Sequence, residues 1–245
     1  MIIELIVVGV FIGTMSGFFG IGGGMILIPI LLVLGFDIKV AIGISIIQMV
    51  FSSVYGSYLN YKKGSLIIGE GLFIGFGGFV GGFMGGYVTY YISDTVLQGL
   101  FFALLLFALF RLLFSPNHED DTFTKTLDKS TLFIIGLMIG VFSITLGIGG
   151  SIILTPLLVG ILHYPLKKAV SAGLFFVVFS SISGLASRLS TGTIDFENGL
   201  IVAVTSLVGV TIGIYLKEYV NTKNHKSMLL LLYFFSLILL LQENL

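Results

Sequence analysis

Two glycine clusters have the residue types to hold an anion without any cationic side chain. Gly20-Ile21-Gly22-Gly23-Gly24 is followed, after four residues, by Pro29, and Gly147-Ile148-Gly149-Gly150-Ser151 is followed at the same distance by Pro156. Glycine adopts positive φ and lets a ligand or a second backbone approach closely, so each cluster predicts a broken helix. A helix restarting near Gly24 or Ser151 begins with N–H groups that lack internal partners, and its dipole favours negative charge. Two such N-termini meeting at mid-depth in a membrane form an anion site. Pro29 and Pro156 are expected to kink the segments that follow.

A second repeated element is Phe51-Ser52-Ser53, matched by Phe179-Ser180-Ser181. Hydroxyls at mid-span either hydrogen-bond an anion or bond the carbonyls of their own helix. Gln48 lies four residues before Ser52, hence on the same helix face. Its counterpart Phe176 is apolar, which predicts an asymmetric site. Ser16, Ser143 and Thr145 approach the turns from the other side. Arg188, aligned with Asn60, falls at the outer end of its span. It either draws anions into a vestibule or anchors that end by snorkelling. The chain has no cysteine, and His118, His163 and His225 near segment ends read as solvated loop residues, so no metal or cofactor is expected. No Asp/Glu/His chain of the kind used by proton pumps is present. No acid, base and nucleophile cluster at depth, which argues against an enzyme.

The elements that position these residues follow from composition. The 245 residues are 56% hydrophobic and 10% charged, with a mean hydropathy of +1.13. A soluble domain of this size cannot bury so much apolar surface, so the surplus faces lipid. Continuous apolar segments of ~20 residues indicate helices rather than the alternating strands of a barrel. A net charge of zero gives no support for nucleic-acid binding. Residues 13–31 align with 140–158 at an offset of 127, which becomes 128 from Lys39/Lys167 onward. Each half holds four apolar stretches: 2–35, 40–60, 65–91 and 95–114, then 131–162, 168–189, 196–217 and 227–242. The first of each set would reach ~50 Å as one helix, against a hydrocarbon core of ~30 Å. Each is therefore read as a re-entrant hairpin: a half-helix in, a glycine turn, a half-helix out. The pairs Gly77-Gly78, Gly81-Gly82 and Gly85-Gly86 read as close helix packing.

Basic residues favour that topology. With three crossings per half, Lys39 and Arg188 fall alone on one side and the other ten of the 12 basic residues on the opposite side. Four crossings per half would divide them six and six, without the asymmetry that the positive-inside rule requires. The expectation is an all-α polytopic membrane protein of two inverted repeats, 1–114 and 131–245. Each repeat is a broken or re-entrant helical hairpin plus three transmembrane helices. The linker 115–130 is cytoplasmic and both termini lie outside. Met1–Val10 lacks a basic leading region and reads as a membrane segment rather than a cleaved signal.

The doubled Gly-x-Gly-Gly-Gly-x4-Pro element, together with the later Lys-Ala-x-Ser stretch at 168–171, resembles the TauE/SafE family of membrane transporters across essentially the whole chain. The resemblance implies an inner-membrane protein exporting small sulfur-containing anions such as sulfite or sulfoacetate. It carries the family motif onto Gly20, Gly22, Gly23, Gly24 and Pro29, then Gly147, Gly149, Gly150 and Pro156. Ser151, where the first copy has Gly24, departs from that motif and adds a hydroxyl. The expected reading is a secondary transporter that binds its anion at the two turns, with Gln48 and the paired serines setting selectivity. The rivals are a channel-like anion conductor, a transporter of the same fold for another small solute, and a membrane scaffold. The sequence leaves the oligomeric state open.

Overall fold

The computed structural model describes residues 2–66, 69–113, 127–160, 162, 164–191, 194–220 and 222–243. These form helices α1 (Ile2–Phe19), α2 (Gly24–Val33), α3 (Ile38–Lys62), α4 (Gly69–Tyr91), α5 (Asp94–Leu113), α6 (Lys129–Thr145), α7 (Ser151–Gly160), α8 (Leu166–Thr191), α9 (Phe196–Tyr219) and α10 (Thr222–Glu243). No strand occurs among the described residues. Most of the linker, 114–126, lies outside them, as do His118 and His163. Seven helices, α1, α3, α4, α5, α8, α9 and α10, are long and apolar enough to cross a membrane. Large apolar side chains remain on the surface along these helices, including Ile3, Phe107, Val208 and Leu231, as a lipid-facing band requires. The chain is an all-helical, multi-pass membrane protein.

Packing follows the duplication. The α1/α9 contact has its counterpart in α6/α4, α3/α9 in α8/α4, and α2/α3 in α7/α8, while α3 packs directly on α8. Small residues allow the tightest of these approaches. A Cβ added to Gly77, Gly81 or Gly85 would lie 2.0–2.5 Å from the carbonyl oxygens of Phe133, Leu137 and Val141 on α6. Gly78, Gly82 and Gly86 turn instead toward Phe176, Ser180 and Ser187 on α8. One glycine-rich helix thus packs closely on two neighbours, as membrane helices do when dispersion rather than a hydrophobic gradient holds them together.

The structure corrects three expectations. The glycine turns divide the long segments unequally, into 18 and 10 residues and into 17 and 10. At 1.5 Å per residue α1 is ~27 Å long, close to a full crossing, whereas α2 and α7 reach ~15 Å. The arms of each broken segment also do not lie along one another. α1 packs on α9, while α2 packs on α3 and α10, because each arm finds its apolar partners in other segments. Finally, His225 is buried rather than solvated. Its Nε2 donates to the Phe18 carbonyl at 3.0 Å, and its ring stacks on Phe18 at 4.8 Å. The last carbonyls of α1 have no helical partner, and the first turn of α10 supplies one.

Candidate functional site

The glycine turns bring the two short helices to one place. Gly20, Gly22 and Gly23 have φ of 69°, 75° and 91°, and Gly147, Gly149 and Gly150 have 69°, 79° and 83°. The chain cannot stay α-helical through such residues, so α1 and α6 end and α2 and α7 restart at Gly24 and Ser151. The turns then cross. A Cβ on Gly24 would lie 1.9 Å from the Gly147 carbonyl oxygen, and Ser45 Oγ on α3 donates to that same oxygen at 2.7 Å. Gly22 and Gly149 both face Met49 Sδ and the Val177 methyls, and positions 49 and 177 are themselves related by the offset of 128.

The crossing is rich in unused donors. The backbone N–H groups of Gly22 through Met25, and of Gly149 through Ile152, make no hydrogen bond among the described residues. Gly23, which caps α2, offers no side chain to the helix N-terminus. All residues of both turns are buried. Gln48 is fully buried, and neither amide atom has a partner among the described residues; its Oε1 lies 2.6 Å from where a Cβ on Gly23 would project. Ser16, Ser151, Thr155 and Ser181 likewise hold buried hydroxyls without partners among the described residues. The side chains that face the turn glycines are neutral. Buried polar groups normally find hydrogen bonds, and a cluster of unsatisfied ones marks a place where a polar guest would fit. Two helix N-termini faced by neutral side chains can accept a small anion.

The remaining residues singled out from the sequence are placed as follows. Ile21 and Ile148 are buried apolar members of their turns. Ser52 and Ser53 bond their own helix, to the carbonyls of Met49 and Val50 at 3.4 and 3.5 Å. Ser180 Oγ reaches the Gly149 carbonyl at 3.4 Å as well as its own helix, and so touches the second turn. Pro29 and Pro156 lie within α2 and α7, five residues after each helix start. Arg188 does not reach for the surface. It is fully buried, and its Nη2 donates to the Lys39 carbonyl at 2.6 Å.

Sequence reasoning missed two features. Ser45 stands three residues before Gln48 on the same face, but its counterpart is Gly173, so no repeat signalled it. Lys217, counted among the flanking cations, is buried, and donates to Asn60 Oδ1 at 3.1 Å and Ser171 Oγ at 3.2 Å. Its hydropathy neighbourhood looks like any span end, and only the packing of α9 on α3 turns it inward.

Comparison with known proteins agrees with this architecture. The chain is 28% identical to the "Probable membrane transporter protein MJ0441" of Methanocaldococcus jannaschii, with 92% of this chain and 90% of the relative covered. It is 26% identical to the "Probable membrane transporter protein YunE" of Bacillus subtilis, with 89% of each covered, and 28% identical to that organism's YdhB, described in the same words, with 86% of each covered. No solved structure matches it. The family described as sulfite exporter TauE/SafE matches residues 5–240. With that match spanning nearly every helix, the chain belongs to the TauE/SafE family.

Proposed function

We propose that this membrane transporter exports a small sulfur-containing anion, sulfite or an organosulfonate, across the inner membrane. The anion lies between the N-termini of α2 and α7. The observation that carries this reading is the crossing itself: two turns in contact, their leading N–H groups unpartnered, and the unpartnered amide of Gln48 buried beside them. Backbone donors and a neutral amide stabilise one negative charge at low dielectric without a lysine or arginine, whose strong pairing would slow release. Gln48 and Ser151 would orient the anion, since each offers a side-chain hydrogen bond that the opposite turn lacks. The turns are buried, so loading and release require movement of α2 and α7 against α3 and α8.

Repeats 1–114 and 131–245 are inverted in this reading, with linker 115–130 cytoplasmic and both termini outside. Lys39 and Arg188 then lie on the outer side. An inside-negative potential drives an anion outward by ~2.3 kcal/mol per charge per 100 mV, so export needs no proton relay. No enzymatic step is assigned.

The test is flux from proteoliposomes loaded with sulfite, with sulfate, sulfoacetate, thiosulfate and chloride in parallel. Saturable efflux of sulfite or a sulfonate, lost in the Gly22→Ala/Gly149→Ala variant, is expected. Movement of a cation or neutral solute instead would overturn the anion site, and unitary currents would identify a channel.

A further inference from the structure

The halves differ on their outer faces as well as at the turns. On one side α10 packs along α2, and on the other α5 stands off from α7, leaving an apolar cleft lined by Phe107, Ala108, Arg111, Ile152, Ile153, Pro156 and Leu157. A second apolar cleft, between α4, α5 and α6, shares Phe107 with the first. Together they form a groove along α5 from Arg111 to Leu100. Those twelve residues, eleven rises apart end to end, span ~16 Å of helix, about half the ~30 Å hydrocarbon core and so the depth of one leaflet.

Arg111 is the one charge in this lining among the described residues. It sits in the last turn of α5 and makes no hydrogen bond or ion pair among the described residues. Its Nη2 lies 2.7 Å from where a Cβ on Gly160 would be, so the guanidinium rests at the end of α7. The matching position on α10 is Leu239. A guanidinium without a partner among the described residues, at the mouth of an apolar groove one leaflet deep, fits a phosphate with an acyl chain attached.

We propose that the cleft between α5 and α7 is a binding site for one anionic phospholipid. Its phosphate sits on Arg111, and one acyl chain follows Phe107 toward the bilayer centre. The chain then lies against Ile152 and Pro156, so the lipid props the helix that begins at Ser151. This inference does not depend on the identity of the transported solute.

The test is native mass spectrometry of the full chain released from vesicles of equal phosphatidylglycerol and phosphatidylcholine. One retained phosphatidylglycerol per chain is expected. Arg111→Gln should lower its retention roughly five-fold, while Arg111→Lys keeps most of it. Ile153→Trp, which fills the cleft, should also release the lipid. Thermal midpoints measured without lipid check that each variant is folded. Equal retention of the two lipids by the folded protein would overturn the proposal, as would an unaffected Arg111→Gln. A stable dimer that retains no lipid would assign the face to a second copy instead.

Discussion

The two glycine turns share a backbone and differ in what surrounds it. At the first, Gly23 faces the polar amide of Gln48; at the second, Gly150 faces the ring of Phe176, the residue related by the offset of 128. The hydroxyls are exchanged as well. In the first half α3 carries Ser45 beside Gly24, and in the second α8 carries Gly173 beside Ser151, where an added Cβ would lie 3.0 Å from Ser151 Cβ. Each crossing accommodates one side chain, supplied by the long helix in one half and by the short helix in the other. Ser45 Oγ is engaged on the Gly147 carbonyl, whereas Ser151 Oγ has no partner among the described residues. The difference teaches that a duplicated backbone can be kept while its side chains diverge, into a tether on one side and a hydroxyl without a partner among the described residues on the other.

The comparison breaks most visibly at Gly24. Its substitution by alanine places a Cβ against backbone that cannot step aside, at 1.9 Å from the Gly147 oxygen. A loss of about 3 kcal/mol or more is expected, read as a large fall in thermal midpoint together with loss of flux. Ser151→Gly, at the equivalent position, should cost only ~1 kcal/mol. Similar losses for both would show that the turns are not equivalent in packing.

Gln48 against Phe176 is the sharper functional test. If the amide holds the anion, Gln48→Leu removes a hydrogen bond to a charged group, worth ~1.5–3 kcal/mol, and should weaken half-saturation by roughly 10- to 100-fold. Phe176→Leu is expected to shift it by less than about three-fold. Equal responses would remove Gln48 from the site.

The two serines should separate the roles of tether and donor. Ser45→Ala is expected to lower stability by about 1 kcal/mol through the lost bond to Gly147, with little change in half-saturation at matched temperature. Ser151→Ala should leave the melting curve in place and weaken half-saturation several-fold. The reverse pattern would exchange the assignments.

The smallest effect lies at the start of α6. Asp128 caps that helix by accepting from the Ser130 N–H and hydroxyl, and those bonds hold its carboxyl below its usual value of 3.8. A depressed carboxyl contributes stability above the unfolded value and loses it as pH falls through the folded one. The thermal midpoint should therefore show a small acid-side decline below 3.8 that Asp128→Asn abolishes. An identical decline in that variant would place its origin elsewhere.

Much of this molecule is determined by its sequence. Unbroken apolar runs fix helices and a bilayer, because no soluble packing hides so much hydrocarbon surface. Glycine runs within such segments fix where α1 and α6 stop, because positive φ is incompatible with helix. The aligned offset also marked Gln48 as lacking a polar counterpart. What the sequence left undecided depends on contacts between segments distant in the chain. Hydropathy could not say that α1 would be nearly a full crossing, since both arms of the broken segment are equally apolar. It placed Arg188, Lys217 and His225 by their distance from span ends, yet all three are buried. Ordinary span-end residues become interior ones when another helix packs over them, and only the tertiary structure decides which do. The crossing of Gly24 on Gly147, the tether from Ser45 and the open cleft between α5 and α7 have the same origin: they are properties of how two halves meet, and neither half encodes them alone.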